Sequence, residues 1–263
     1  MARIISIPPA PAAAGGGGLS GNLVAGLVGD RVVDPFAVAD NNGICGQLLR
    51  DLIGPAFDPH RTLNTMNAVA ASATAMNAVA ASATAMDAVW ASSTAWNIVR
   101  DSNMAVGKFV AGRAGQNATS FADMNAVAAS LTARQAVRQS STAINAINAS
   151  QLALDAMYTA ATKFTYAGGS WSANPATLVG SGNYLIVRIR QLNNVLGGSI
   201  GHATGQYVRR GDGTGWTMTD GASSLNIVNR SHPATIDNAL RTVNNLSIQY
   251  HFFNSFEIAY LTA

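Results

Sequence analysis

Apolar residues in this chain recur every ten positions. Residues 66–85 consist of one block written twice, MNAVAASATA MNAVAASATA. A large apolar residue opens the block, a β-branched residue follows three places on, and small or polar residues fill the remainder. First positions are Met66, Met76, Met86 and Trp96, then Met124, Arg134, Ile144 and Leu154. Fourth positions are Val69, Val79, Val89 and Val99, then Val127, Val137, Ile147 and Met157. The second position is polar: Asn67, Asn77, Asp87, Asn97, Asn125, Gln135, Asn145, Asp155. Three position-specific preferences across all of these blocks make a strong repeat signal.

Ten residues suit no ordinary helix. At about 100° per residue they fall about 80° short of three turns, so an apolar stripe drifts quickly round a straight helix. Either the helix overwinds or each block is interrupted. The Ser-Ala-Thr-Ala stretch is the predicted interruption, because Ser and Thr side chains compete for backbone hydrogen bonds. The predicted core layers are Met66, Val69, Met76, Val79, Met86, Val89, Trp96 and Val99, then Met124, Val127, Ile144 and Ile147. A lone Ala-rich rod with one apolar stripe buries too little to be stable. Two arrangements would cover the stripe: a parallel homotrimer, which is favoured here, or a hairpin of the two repeat sets.

The pattern divides the chain into three. Residues 1–62 hold a Pro/Ala/Gly arm and a small apolar module, with Leu48, Leu49, Leu52 and Ile53 at helical spacing. Residues 63–163 form the repeat stalk, with a Gly-rich break near 107–118 that reads as a hinge. Residues 164–263 alternate apolar and polar positions between turn clusters such as RGDGTG and TDGASS. The expected fold class is therefore α+β segregated along the chain: an extended helical stalk, then an antiparallel β-sandwich or jelly-roll-like domain.

Composition narrows the function. Only 11% of residues are charged, against about 25% in ordinary soluble proteins, which suggests a surface covered by copies of the chain or by partners. The net charge of +3 is scattered and almost all Arg, with Lys108 and Lys163 the two lysines. No basic stripe points to nucleic acid. Cys45 stands alone, so no intrachain disulfide forms. No stretch is apolar enough for membrane insertion.

Reactive chemistry is sparse. His60, His202, His232 and His251 show no metal-ligand spacing. Asp212, Asp220, Asp237 and Glu257 are candidate carboxylates, but no nucleophile motif accompanies them. The expectation is a non-enzyme with no cofactor and no metal. Candidate recognition residues are Trp216, Arg209, Arg210, Asp212 and His202, in or beside the loops of the β region.

Runs such as AASATAMNAVAASATAM and ASSTAWNIV resemble the repeats of tail-fibre, neck-fibre and other fibrous virion proteins of tailed bacteriophages. The resemblance covers residues 66–163. It implies a homotrimeric structural protein of the virion, joined to other virion proteins through its N-terminal region. It also implies a distal β domain that meets a host-surface glycan or another protein. The virion is then the expected location, with assembly in the bacterial cytoplasm. Rival readings are an ice-binding protein, a cell adhesin, or a glycan-cleaving spike. Thr74, Thr84 and Thr94 recur every ten residues as an ice-binding face requires, but the 80° drift would scatter them.

Overall fold

A computed structural model describes residues 44–166, 176–191, 207–209, 215–217, 234–249 and 256–263. Among the described residues ten α-helices precede seven strands, so the helix-then-strand layout expected from the pattern is present. The chain forms two compact units that divide between Ile98 and Val99. The boundary falls inside the repeats, whereas the composition change at 163 marks the switch from helix to strand at Thr162.

The repeats are a chain of short helices: α2 (Met66–Ala71), α3 (Ala73–Ala80), α4 (Ala83–Ala91) and α5 (Ser93–Arg100), then α7 (Met124–Ala129), α8 (Leu131–Gln139), α9 (Ser141–Asn148) and α10 (Gln151–Ala160). Between them one serine per block adopts an extended backbone and caps the next helix. Ser72, Ser82, Ser92, Ser102, Ser130, Ser140 and Ser150 each accept a hydrogen bond from the backbone N–H of the alanine three residues on, at 3.0 to 3.3 Å. The predicted interruption is thus present, and it is an N-cap. Each cap contributes about 1 kcal/mol of helix stability.

The same alanines, from Ala75 to Ala153, are fully buried or nearly so. With the first and fourth positions they make the inward face of every block. Met66, Val69, Met76, Val79, Val89, Val99, Met124, Val127 and Ile147 are fully buried, and Met86 and Trp96 nearly so. The first positions Arg134 and Ile144 are the exceptions and are half-buried. Of the second positions, Asn67, Asp87, Asn97, Asn125, Gln135, Asn145 and Asp155 are exposed, and Asn77 is half-buried. The stripe is covered within one chain, so its burial no longer requires a trimer.

In the first unit, α1 (Ile44–Ile53) touches α2, α3 and α4 and buries Leu48 and Leu49. Ile44–Ile53 therefore pack with the first repeat helices; residues 1–43 of the expected N-terminal arm and module lie outside the described residues. In the second unit, α6 (Asn103–Arg113) touches α7, α8, α9 and α10, while α7 returns against α10. Ala105 to Ala111 are buried without interruption, as expected of a helix covered on all sides. The second set is therefore wound round α6 and is not a straight rod.

The Gly-rich stretch is helix up to Arg113, not a hinge. A Cβ on Gly107 would lie 2.3 Å from the backbone of Asp123 and Met124, so glycine lets α7 start directly against α6. Gly115, at φ +69, ends α6. Its N–H donates to the Gly112 carbonyl and that of Gln116 to the Ala111 carbonyl, both at 2.9 Å, the bonding of a Schellman C-cap.

The strands are β1 (Thr162–Tyr166), β2 (Ala176–Gln191), β3 (Tyr207–Arg209), β4 (Gly215–Thr217), β5 (Ala234–Asp237), β6 (Arg241–Gln249) and β7 (Phe256–Thr262). They form one antiparallel sheet in the order β1-β7-β2-β6-β3-β4, with β5 also on β2. Among the described residues this is a single sheet, not the expected sandwich. Tyr184, Leu185, Ile186 and Val187 are buried in succession, so both faces of β2 are covered there. Contacts to α10 cover part of it.

Candidate functional site

The densest polar cluster among the described residues joins α10 to the sheet. Asp155 and Tyr158 stand three apart, hence on one face of α10. Arg188 reaches both from β2. Its guanidinium lies 2.5 Å from the Asp155 carboxylate and 4.2 Å from the centre of the Tyr158 ring. The Arg188 Nε also donates to Asn238 at 2.8 Å. Lys163 approaches the Tyr158 ring at 4.6 Å and donates to the carbonyls of Tyr158 and Ala161. A lysine there also satisfies carbonyls left open at a helix C-terminus.

The Tyr158 hydroxyl donates to Glu257 on β7 at 2.6 Å and accepts from Arg190 at 3.2 Å. Arg190 also pairs with Glu257 at 3.6 Å. The hydrogen bond with Tyr158 is the main cause that raises the Arg190 pKa, with Glu257 adding to it against the effect of burial.

A row of amides extends the joint. Asn148 clamps the Leu240 backbone, accepting from its N–H at 2.6 Å and donating to its carbonyl at 3.3 Å. Asn238 donates to Gln151 at 3.0 Å, and Gln151 donates to Asp155. Arg134 of α8 donates to the carbonyls of Thr262, Ala128 and Ala129. Burial lowers the Arg134 pKa.

This arrangement ties α10 to the sheet. Asp155 faces Arg188 and Glu257 faces Arg190, so each carboxylate has a cation of its own. Glu257, a carboxylate candidate from sequence, serves the joint. The backbones of Arg209 and Trp216 lie on the paired strands β3 and β4. Arg210, Asp212 and His202 lie outside the described residues, as do Asp220, His232 and His251. His60 is exposed.

Asn148, Tyr158 and Arg188 were missed from sequence. A signal existed at the fifth position of the blocks. It is Ala70, Ala80 and Ala128 in some blocks but Asn148 and Tyr158 in the last two, the pair that holds the sheet. No protein-family model matches the chain, and no curated protein matches it in sequence.

Proposed function

We propose that this chain is a non-enzymatic structural component of a tailed-phage virion. In this reading the capped helices form a self-buried scaffold that carries the sheet. One observation supports it above others: the same cap, alanine and apolar pair recur block after block, with a serine hydroxyl in each committed to internal bonding. That is the economy of a scaffold in which each unit contacts its neighbours. The resemblance of the repeats to fibrous virion proteins supplies the particle.

The homotrimer is kept as part of the proposal, but its contacts fall to surfaces outside the Met/Val stripe. Attachment to other virion proteins is assigned to the N-terminal region. Recognition of a host glycan or a protein is assigned to the β3–β4 region, including Trp216 and Arg209.

Gold-labelled antibody against the purified chain, applied to particles of the phage that encodes it, tests the reading. Regularly placed label at one position on the particle is expected. Particles free of label and of peptides from this chain would refute it.

A further inference from the structure

Asp58 is almost wholly buried, and its carboxylate accepts four hydrogen bonds. Oδ1 accepts from the Thr62 N–H at 3.0 Å and the Thr62 hydroxyl at 3.3 Å. Oδ2 accepts from the Leu63 N–H at 2.9 Å and from the Arg50 guanidinium at 3.0 Å. Pro59 and His60 follow, and both are exposed. The chain turns there. The Arg61 N–H donates to the Asp58 carbonyl at 3.1 Å, which makes a β-turn with Asp first and Pro second. Arg61 closes the turn at φ +53, the sole non-glycine residue with a positive φ among the described residues. For a side chain with a Cβ that backbone is strained.

These features surround one weak bond. An aspartate carboxylate can reach its own carbonyl carbon and close a five-membered anhydride ring, a carboxylate acting as nucleophile. Proline is the best residue to leave, because its nitrogen belongs to a tertiary amide and takes a proton more readily than a secondary one. The reaction needs an ionised carboxylate in a medium acid enough to protonate that nitrogen. Burial opposes the charge on Asp58, but the hydrogen bonds from Leu63 and Thr62 and the Arg50 charge outweigh it and hold the carboxyl below 3.8. It therefore stays an anion further into acid than a free aspartate does. The Arg61 N–H meets the oxygen on which negative charge develops. Breaking the bond opens the turn and releases Arg61 from its positive φ.

We propose that the chain cuts itself once, between Asp58 and Pro59. Asp58 Oδ1 attacks the Asp58 carbonyl carbon, while Leu63 and Arg50 keep hold of Oδ2. The C–N bond breaks, and its electron pair stays on the Pro59 nitrogen, which leaves with a proton from the acid medium. One water molecule then opens the anhydride and leaves an α- and a β-carboxylate on Asp58. The sum is hydrolysis of one peptide bond, without turnover, cofactor or oxidant. Afterwards α1 is held on α2, α3 and α4 by packing alone, so the N-terminal segment becomes separable from the repeats. The inference stands apart from the virion reading.

Intact mass of the full chain, followed over time at a series of pH values down to about 3.5, tests it. Pieces 1–58 and 59–263 are expected, the second beginning at Pro59. The chain carries its own control in a second Asp–Pro bond, Asp34–Pro35. The folded protein should cut at Asp58–Pro59 roughly tenfold faster than at Asp34–Pro35 or more, and urea should erase the difference. Asp58→Asn should remove the cut. Pro59→Ala keeps the carboxylate and its donors, so it should slow the cut as strongly while the melting temperature stays the same. Equal rates at the two bonds in the folded protein would reduce the effect to the ordinary lability of Asp–Pro bonds and overturn the proposal. A folded chain that is not cut at Asp58, or is cut more slowly than in urea, also overturns it, and shows that the four donors lock the carboxylate.

Discussion

The two helical units are variations on one plan. Each contains a helix, α1 or α6, that the following short helices pack against. Each then turns at a glycine with positive φ, Gly54 or Gly115, and passes through a short 3-10 helix, Pro55–Phe57 or Ala118–Ser120. Each restarts with a capped MNAVAAS, at 66–72 and again at 124–130. What differs is the outward surface. Blocks one and two of the first unit are identical copies, whereas those of the second have diverged and bind the sheet through Asn148, Gln151, Asp155 and Tyr158. Core and cap positions are therefore set by the fold, and the second, fifth and eighth positions are free to specialise.

The sharpest way to break the comparison is to remove one central helix. Deletion of residues 1–62 takes away α1 with the buried Leu48, Leu49 and Phe57. The first unit should lose its cooperative melting, while the second keeps its own. Hydrogen exchange that still protects residues 66–98 in the truncated chain would show that α1 is dispensable.

A single methyl group tests the second unit. Gly107→Ala places a Cβ against backbone that no side-chain rotation can clear. The expected cost is about 3 kcal/mol, at the upper end for overpacking. Denaturant titration yielding a loss under about 1 kcal/mol would mean that α7 shifts freely on α6.

The serines separate a cap from a cap with a second duty. Ser82 caps α4, and its alanine variant should lose about 1 kcal/mol. Ser150 caps α10 and also donates to the Arg100 carbonyl at 2.8 Å while almost wholly buried. Its alanine variant leaves that acceptor open and should lose about 2 kcal/mol or more. Equal losses in paired melts would remove the distinction.

Periodicity alone carried much of this fold. The position-one and position-four residues are inward because their spacing demanded it, and the Ser-Ala-Thr-Ala interruption follows from ten residues fitting no helix. The winding was hidden, since a cap redirects the chain by an angle that spacing does not encode. Gly107 was misjudged for a related reason: glycine serves equally for a bend and for a close approach, and only the neighbouring backbone distinguishes them. The joint at Asp155 depends on Arg188, thirty-three residues later, and no local pattern links the two.

The smallest expected difference between the units is in their response to pH. In the first, burial alone would raise the Asp58 pKa. Hydrogen bonds from the Leu63 and Thr62 N–H groups, the Thr62 hydroxyl and the Arg50 guanidinium outweigh it and lower the value below 3.8. The folded state then prefers the ionised carboxylate, so its contribution is complete above 3.8 and is lost as pH falls through the folded value. In the second unit burial lowers the Lys108 pKa below 10.5, while its ammonium donates to the Ala118 carbonyl at 2.8 Å. Here the folded state disfavours the charged form. The penalty is full at low pH and is relieved as pH rises from the folded value towards 10.5. Acid should therefore weaken the first unit through Asp58, and alkali should strengthen the second through Lys108. Urea titrations at acid, neutral and alkaline pH check both signs. Asp58→Asn should flatten the acid limb alone and Lys108→Met the alkaline limb alone. A Lys108→Met chain that still gains stability in alkali at the wild-type rate would assign that limb to a different group.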